Sequence, residues 1–114
     1  MDEVPATGRI TVEPEVLETI ARLTALAVPG VARLAPARTG RLIKGRDGVR
    51  ITFRDGKILV DLYIVVESGH NFLSLGRQVQ AEVTRAIQEM VGLEVEAVNV
   101  YIEDVASPAS RSLA

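Results

Sequence analysis

The sequence predicts an α+β protein, a two-layer sandwich with two helices packed on one face of a small, mainly antiparallel sheet. Three observations lead there. Asp55-Gly56 lies between two alternating segments and marks a tight hairpin. Two other stretches repeat apolar residues at helical spacing. A last alternating segment follows the second of them, so both helices have a sheet to cover. At 114 residues, 47% hydrophobic and 25% charged, the chain has the proportions of one soluble domain with a real core. Its Cys count of 0 excludes disulfides, thiol nucleophiles and thiolate metal sites.

Element by element, Arg9-Ile10-Thr11-Val12 alternates as a short half-buried strand would. Glu13-Pro14-Glu15 starts a helix, because proline in the first turn loses no needed hydrogen bond and the carboxylates face the positive end of the macrodipole. Val16, Ile20, Leu23 and Ala27 form its apolar stripe, widened by Leu17, Ala21 and Thr24, and Pro29-Gly30 ends it. Val31 to Ala35 reads as a brief strand stopped by Pro36, and the glycine- and arginine-rich stretch up to Gly48 reads as a loop.

The hairpin fixes its own register. With Arg54 opposite Lys57, Phe53 faces Ile58, Ile51 faces Val60 and Val49 faces Leu62, all apolar and expected in the helix-covered core. On the other face Arg50 meets Asp61 and Thr52 meets Leu59, leaving Arg54/Lys57 as the one discordant pair. The second strand runs on through Val66, apolar on both faces, as a central strand would. After a loop at Ser68 to Asn71, Leu75, Val79, Val83, Ala86, Ile87 and Met90 mark the second helix. Gly92 closes it, and Leu93 supplies a hydrophobic contact to the glycine cap. Val98, Val100 and Ile102 alternate as the last strand. The expected organisation is a lead over 1–7, one domain over 8–105 and a disordered tail over 106–114.

Chemical motifs are sparse. Ser68, His70 and the nearby Asp61 or Glu67 have the residue types of a triad, but crowded into one loop they lack the spacing its geometry demands. Gly45-Arg46-Asp47-Gly48 matches a backbone-clamping GxxG, yet a strand follows where a helix is required. Glu94/Glu96 and Glu103/Asp104 read as solvated strand positions, with no calcium-loop spacing. No catalytic, cofactor-binding or metal-ligating residue is expected, and the chain reads as no enzyme.

Two features rise above that background. Between Arg33 and Lys57 eight basic residues face two acidic ones, a local net charge of +6 in a chain of net −2. Within it Arg38, Arg41, Lys44 and Arg46 are candidate contacts for an acidic partner, a lipid surface or nucleic acid. Missing aromatic interleaving and a sequence pI of about 5.4 argue against direct nucleic-acid binding. The second feature is the sheet face away from the helices, where Leu59, Tyr63, Val65 and, with the right facing, Tyr101 form a candidate interaction patch. No apolar run approaches the ~20 residues of a spanning helix. The acidic start Met1-Asp2-Glu3 lacks the features of a secretory signal, so cytoplasmic residence is expected.

Several of these segments together resemble the bacterial alkaline shock, or envelope stress response, protein family. They are Gly8-Arg9-Ile10-Thr11-Val12 ahead of Glu15-Val16-Leu17, the Ala27-Val28-Pro29-Gly30-Val31 junction, and above all Glu89-Met90-Val91-Gly92-Leu93-Glu94-Val95 leading into Val98-Asn99-Val100-Tyr101-Ile102. The resemblance runs from Gly8 to Val105 and departs at Ser68 to Phe72, where relatives commonly carry a tyrosine-glycine turn. A homo-oligomer is a separate expectation, not part of the resemblance, which implies a small, non-enzymatic cytoplasmic protein without cofactors. Its place is near the envelope, held there in some members by a membrane-anchored protein partner. A related branch implies control of lipid metabolism through protein binding. A small nucleic-acid-binding module using the basic loop is the competing reading.

Overall fold

The computed structural model describes residues 7–35 and 48–107. Helix α1 (Pro14–Ala27) leads into strand β1 (Val31–Leu34). The hairpin β2 (Val49–Arg54) and β3 (Lys57–Glu67) follows, then helix α2 (Phe72–Val91) and strand β4 (Glu94–Ala106). Both helices lie on one face of a four-stranded sheet, as the sequence predicts.

β3 is the axis of the sheet. β4 runs parallel to it along one side, with α2 as the crossover that a parallel pair requires. The other side is shared: β2 pairs antiparallel with Lys57–Leu62, and β1 pairs antiparallel with Ile64–Val66. The handover falls on Tyr63, whose N–H donates to the Gly48 carbonyl (2.8 Å) and whose carbonyl accepts from the Ala35 N–H (2.7 Å). Gly48 has φ +78°, and a Cβ there would stand 2.7 Å from the Ala35 oxygen and 2.9 Å from the Tyr63 oxygen. Only glycine fits this crossing of three backbones.

All six hairpin pairs appear in the expected register, and Asp55 (φ 53°) and Gly56 (φ 76°) take the left-handed conformations of a tight turn. The discordant Arg54/Lys57 pair is relieved from β4: Arg54 reaches Glu96 at 3.0 Å and Lys57 reaches Glu94 at 3.6 Å. One expectation fails here. Phe53 is 51% exposed although its partner Ile58 is sealed. Along β2, Val49 is buried, Ile51 half-buried and Phe53 exposed, so the helix layer ends short of the hairpin tip on this edge strand.

The core takes Leu17, Ala21 and Ala25 from α1 and Leu75, Val79, Val83 and Ile87 from α2, packed on alternate residues of β3 from Ile58 to Val66. The α1 stripe is thus rotated by one residue from Val16, Ile20, Leu23 and Ala27. Val16 and Leu23 are 47% and 59% exposed. α1 carries two adjacent apolar stripes, and the sheet takes the one with two alanines, which lets the helix come close. Met90, expected in the core, is exposed in the last turn of α2. That helix starts on Asn71, whose Oδ1 accepts the Ser74 N–H (2.9 Å), and ends on left-handed Gly92, with Leu93 packed against the core. The strand expected at Arg9–Val12 is absent: those residues belong to no element and are exposed. Among the described residues no helix is long and apolar enough to cross a membrane.

Candidate functional site

The sheet face away from the helices is built by all four strands, with β3 at its centre. On β3 the odd-numbered positions point there, and β4 matches them in parallel register: Ala97 beside Leu59, Asn99 beside Asp61, Tyr101 beside Tyr63. β4 holds this register with two irregularities, after Val95 and after Ile102, where Glu96 and Glu103 are the extra residues. Without the first of them, Tyr101 would fall on the helix side.

The facing left open by the sequence is therefore settled. Tyr63 and Tyr101 stack with ring centroids 4.7 Å apart and planes inclined by 13°. Tyr63 is half-buried, Tyr101 is 42% exposed, and Leu59 is half-buried nearby. Val65 does not share their exposure: it is 2% exposed, because on the interior strand its register neighbours Arg33 of β1 and Asp104 of β4 flank it on both sides. The candidate patch is reduced to Leu59, Tyr63 and Tyr101.

Beneath the tyrosines runs a polar row, Arg50–Asp61–Asn99, one residue from each of β2, β3 and β4. Asp61 is the sole buried charged residue among those described, at 3% exposure. Asn99 Nδ2 donates to its Oδ1 at 3.0 Å, and Arg50 Nε lies 3.3 Å from its Oδ2. That approach is off line for a hydrogen bond, so Oδ2 is compensated in charge but accepts nothing. The hairpin register sets Arg50 against Asp61 in the sequence. Asn99 was missed, because a parallel register set by an irregular strand leaves no sequence signal.

His70 lies apart from this row. Its ring packs on Gly30, where a Cβ would be 3.0 Å from Nδ1, and its Nε2 is 3.7 Å from Glu67 Oε1. Ser68 uses its backbone N–H on the Ala106 carbonyl (3.0 Å), and Asp61 is engaged by Asn99 and Arg50. Residues with triad chemistry are close in sequence and are not assembled. Among the described residues no cluster of histidine and carboxylate side chains can hold a metal ion.

Arg38, Arg41, Lys44 and Arg46 lie outside the described residues. Of the remaining basic residues in that stretch, Arg50, Arg54 and Lys57 each face an acid of β3 or β4, which makes the sheet's own charge locally balanced. On the opposite face a groove of about 500 Å³ runs between α2 and the outer side of β4, with Phe72, Leu73 and Gly76 on one wall and Val100 and Ile102 on the floor.

Comparison with known proteins gives a consistent placement. The model of the alkaline shock protein 23 family, described as having a cell envelope-related function, matches residues 2–107. The uncharacterized protein YqhY of Bacillus subtilis is 29% identical over 102 residues, covering 83% of this chain and 75% of the relative. The uncharacterized protein Spy1535 of Streptococcus pyogenes is 26% identical over 102 residues, covering 86% and 79%. Among solved structures the MamM CTD in its copper form superposes with a TM-score of 0.58 at 20% identity, over 79% of this chain and 84% of that one, a likeness of fold.

Proposed function

Since the chain belongs to the alkaline shock protein 23 family, of cell envelope-related function, we propose that it is a non-enzymatic interaction protein working in the cytoplasm near the envelope. Its helix-free sheet face receives an acidic protein partner, itself membrane-anchored. The observation that carries this reading is the Tyr63–Tyr101 stack, with Tyr101 42% exposed on a sheet face that no helix covers. A rigid aromatic pair gives large contact area at low entropic cost. The charge sense comes from Arg33 of β1, exposed on this face, and from the sequence, whose stretch between Arg33 and Lys57 has a local net charge of +6.

The test is capture from native cells with the natural chain and with Tyr101→Ala as baits. A protein retained by the first and lost by the second supports the proposal. Equal retention by both removes the tyrosine face, and retention of RNA or DNA at physiological salt with no protein favours a nucleic-acid module acting through the basic stretch.

A further inference from the structure

Residues 7–13 precede α1, belong to no helix or strand and are all exposed, Ile10 to 96% and Val12 to 38%. Yet Arg9-Ile10-Thr11-Val12 alternates as a half-buried strand does. It is a strand pattern without a sheet. The sheet has the converse, an edge without a strand. Among the described residues β4 pairs only with β3, along one side. Gln80 Nε2 reaches the Val98 carbonyl at 3.0 Å, so that carbonyl faces away from β3. Alternation turns the backbone groups of Val100 and Ile102 to the same outer edge. Their side chains floor the groove whose wall is Phe72, Leu73 and Gly76.

We infer that Arg9–Val12 of one copy adds as an antiparallel strand to the outer edge of β4 in a second copy, laying Ile10 and Val12 into the groove against α2. Two outward-facing residues on β4 match the two apolar residues of the segment. Ile10 opposite Ile102 sets Val12 opposite Val100 and Thr11 opposite Tyr101, and it brings Arg9 to the acidic end of the strand at Glu103 and Asp104. The parallel alternative would set Arg9 opposite Asn99, away from those acids, so charge complementarity selects the antiparallel direction. A second copy is the donor because the segment enters α1 at Pro14, and α1 packs over β1 and β2 while α2 packs over β4. Reciprocal donation closes a twofold dimer, and main-chain pairing supplies affinity while the two apolar side chains supply register.

A chain with no cysteine offers a clean test. Ile10→Cys chains are mixed with Leu73→Cys chains under mild oxidation, and separately with Leu23→Cys chains, whose site on α1 is nearly as exposed as Leu73 but does not line the groove. The expected result is a disulfide-linked pair with Leu73→Cys and none with Leu23→Cys. Sedimentation of the natural chain shows a concentration-dependent dimer, and Ile10→Asp weakens it by about tenfold or more with no change in far-UV circular dichroism or melting temperature. Three results overturn the inference: a natural chain that stays monomeric, equal cross-linking to both cysteine sites, or closure of the Ile10→Cys/Leu73→Cys double variant within one chain in place of a linked dimer.

Discussion

Phe53 and Ile58 stand opposite each other in the hairpin, yet Ile58 is 0% exposed and Phe53 51%. One register position thus spans the edge of the helix layer. Truncating Ile58 leaves a cavity that the core cannot fill, and Ile58→Ala is expected to cost about 3–4 kcal/mol. Phe53→Ala gives up only partial burial and is expected to cost about 1 kcal/mol. Urea titration of the two variants checks the difference, and equal losses would contradict the described edge.

Asp61 is buried with Arg50 as its only close cation among the described residues. Arg50→Ala removes the compensation and leaves a carboxylate in the sheet, a larger fault than the loss of a surface ion pair. Because the Arg50 side chain is 40% exposed, solvent screens the pair and the expected cost is about 1–3 kcal/mol. In Arg50→Ala/Asp61→Asn the buried charge is gone, and the denaturation midpoint should return part of the way toward that of the natural chain. A double variant less stable than Arg50→Ala would show that the arginine is not what keeps the carboxylate in place.

Gly48 sits where β1 and β2 hand over along β3, and its φ of +78° and the 2.7 Å separation from the Ala35 oxygen leave no room for a Cβ. Gly48→Ala is expected to destabilise by about 3 kcal/mol, combining left-handed strain with a backbone collision. Gly56 has a similar φ but nothing within 4 Å, so Gly56→Ala is expected to cost about 1 kcal/mol. Thermal melts of the pair separate the collision from the conformational term.

The hairpin was legible to the residue because its signal is local: a turn dipeptide and two alternating flanks admit one register. Both helices were legible in position and α2 in phase, with Leu75, Val79, Val83 and Ile87 all buried, but the phase of α1 was not legible. α1 carries apolar residues on two adjacent stripes, and only packing against the sheet decides that Leu17, Ala21 and Ala25 go inside. Arg9–Val12 has a strand's pattern, and pattern alone does not provide a neighbour to pair with. The tyrosine stack and the Asp61–Asn99 bond depend on a parallel register between strands far apart in sequence, shifted by Glu96 and Glu103. Those contacts are non-local, so no window of sequence contains them.

The tyrosine face and the basic stretch make separable contributions to binding. Tyr101 is exposed enough that Tyr101→Ala should cost the fold only the stack, about 1 kcal/mol. If it is an anchor, its loss shortens the lifetime of the complex, so the dissociation rate rises by about tenfold or more while the association rate is unchanged. Tyr101→Phe keeps the ring and should bind almost as the natural chain does. Charge acts earlier, at encounter. Reversing Arg41, Lys44 and Arg46 to glutamate takes the local net charge from +6 to 0, so association with an acidic partner should slow and its dependence on salt flatten. Surface plasmon resonance with the captured partner at low and moderate salt reads both rates for all three variants. A dissociation rate unmoved by Tyr101→Ala would remove the sheet face from the interface. An unchanged salt slope in the charge-reversed chain would remove the basic stretch.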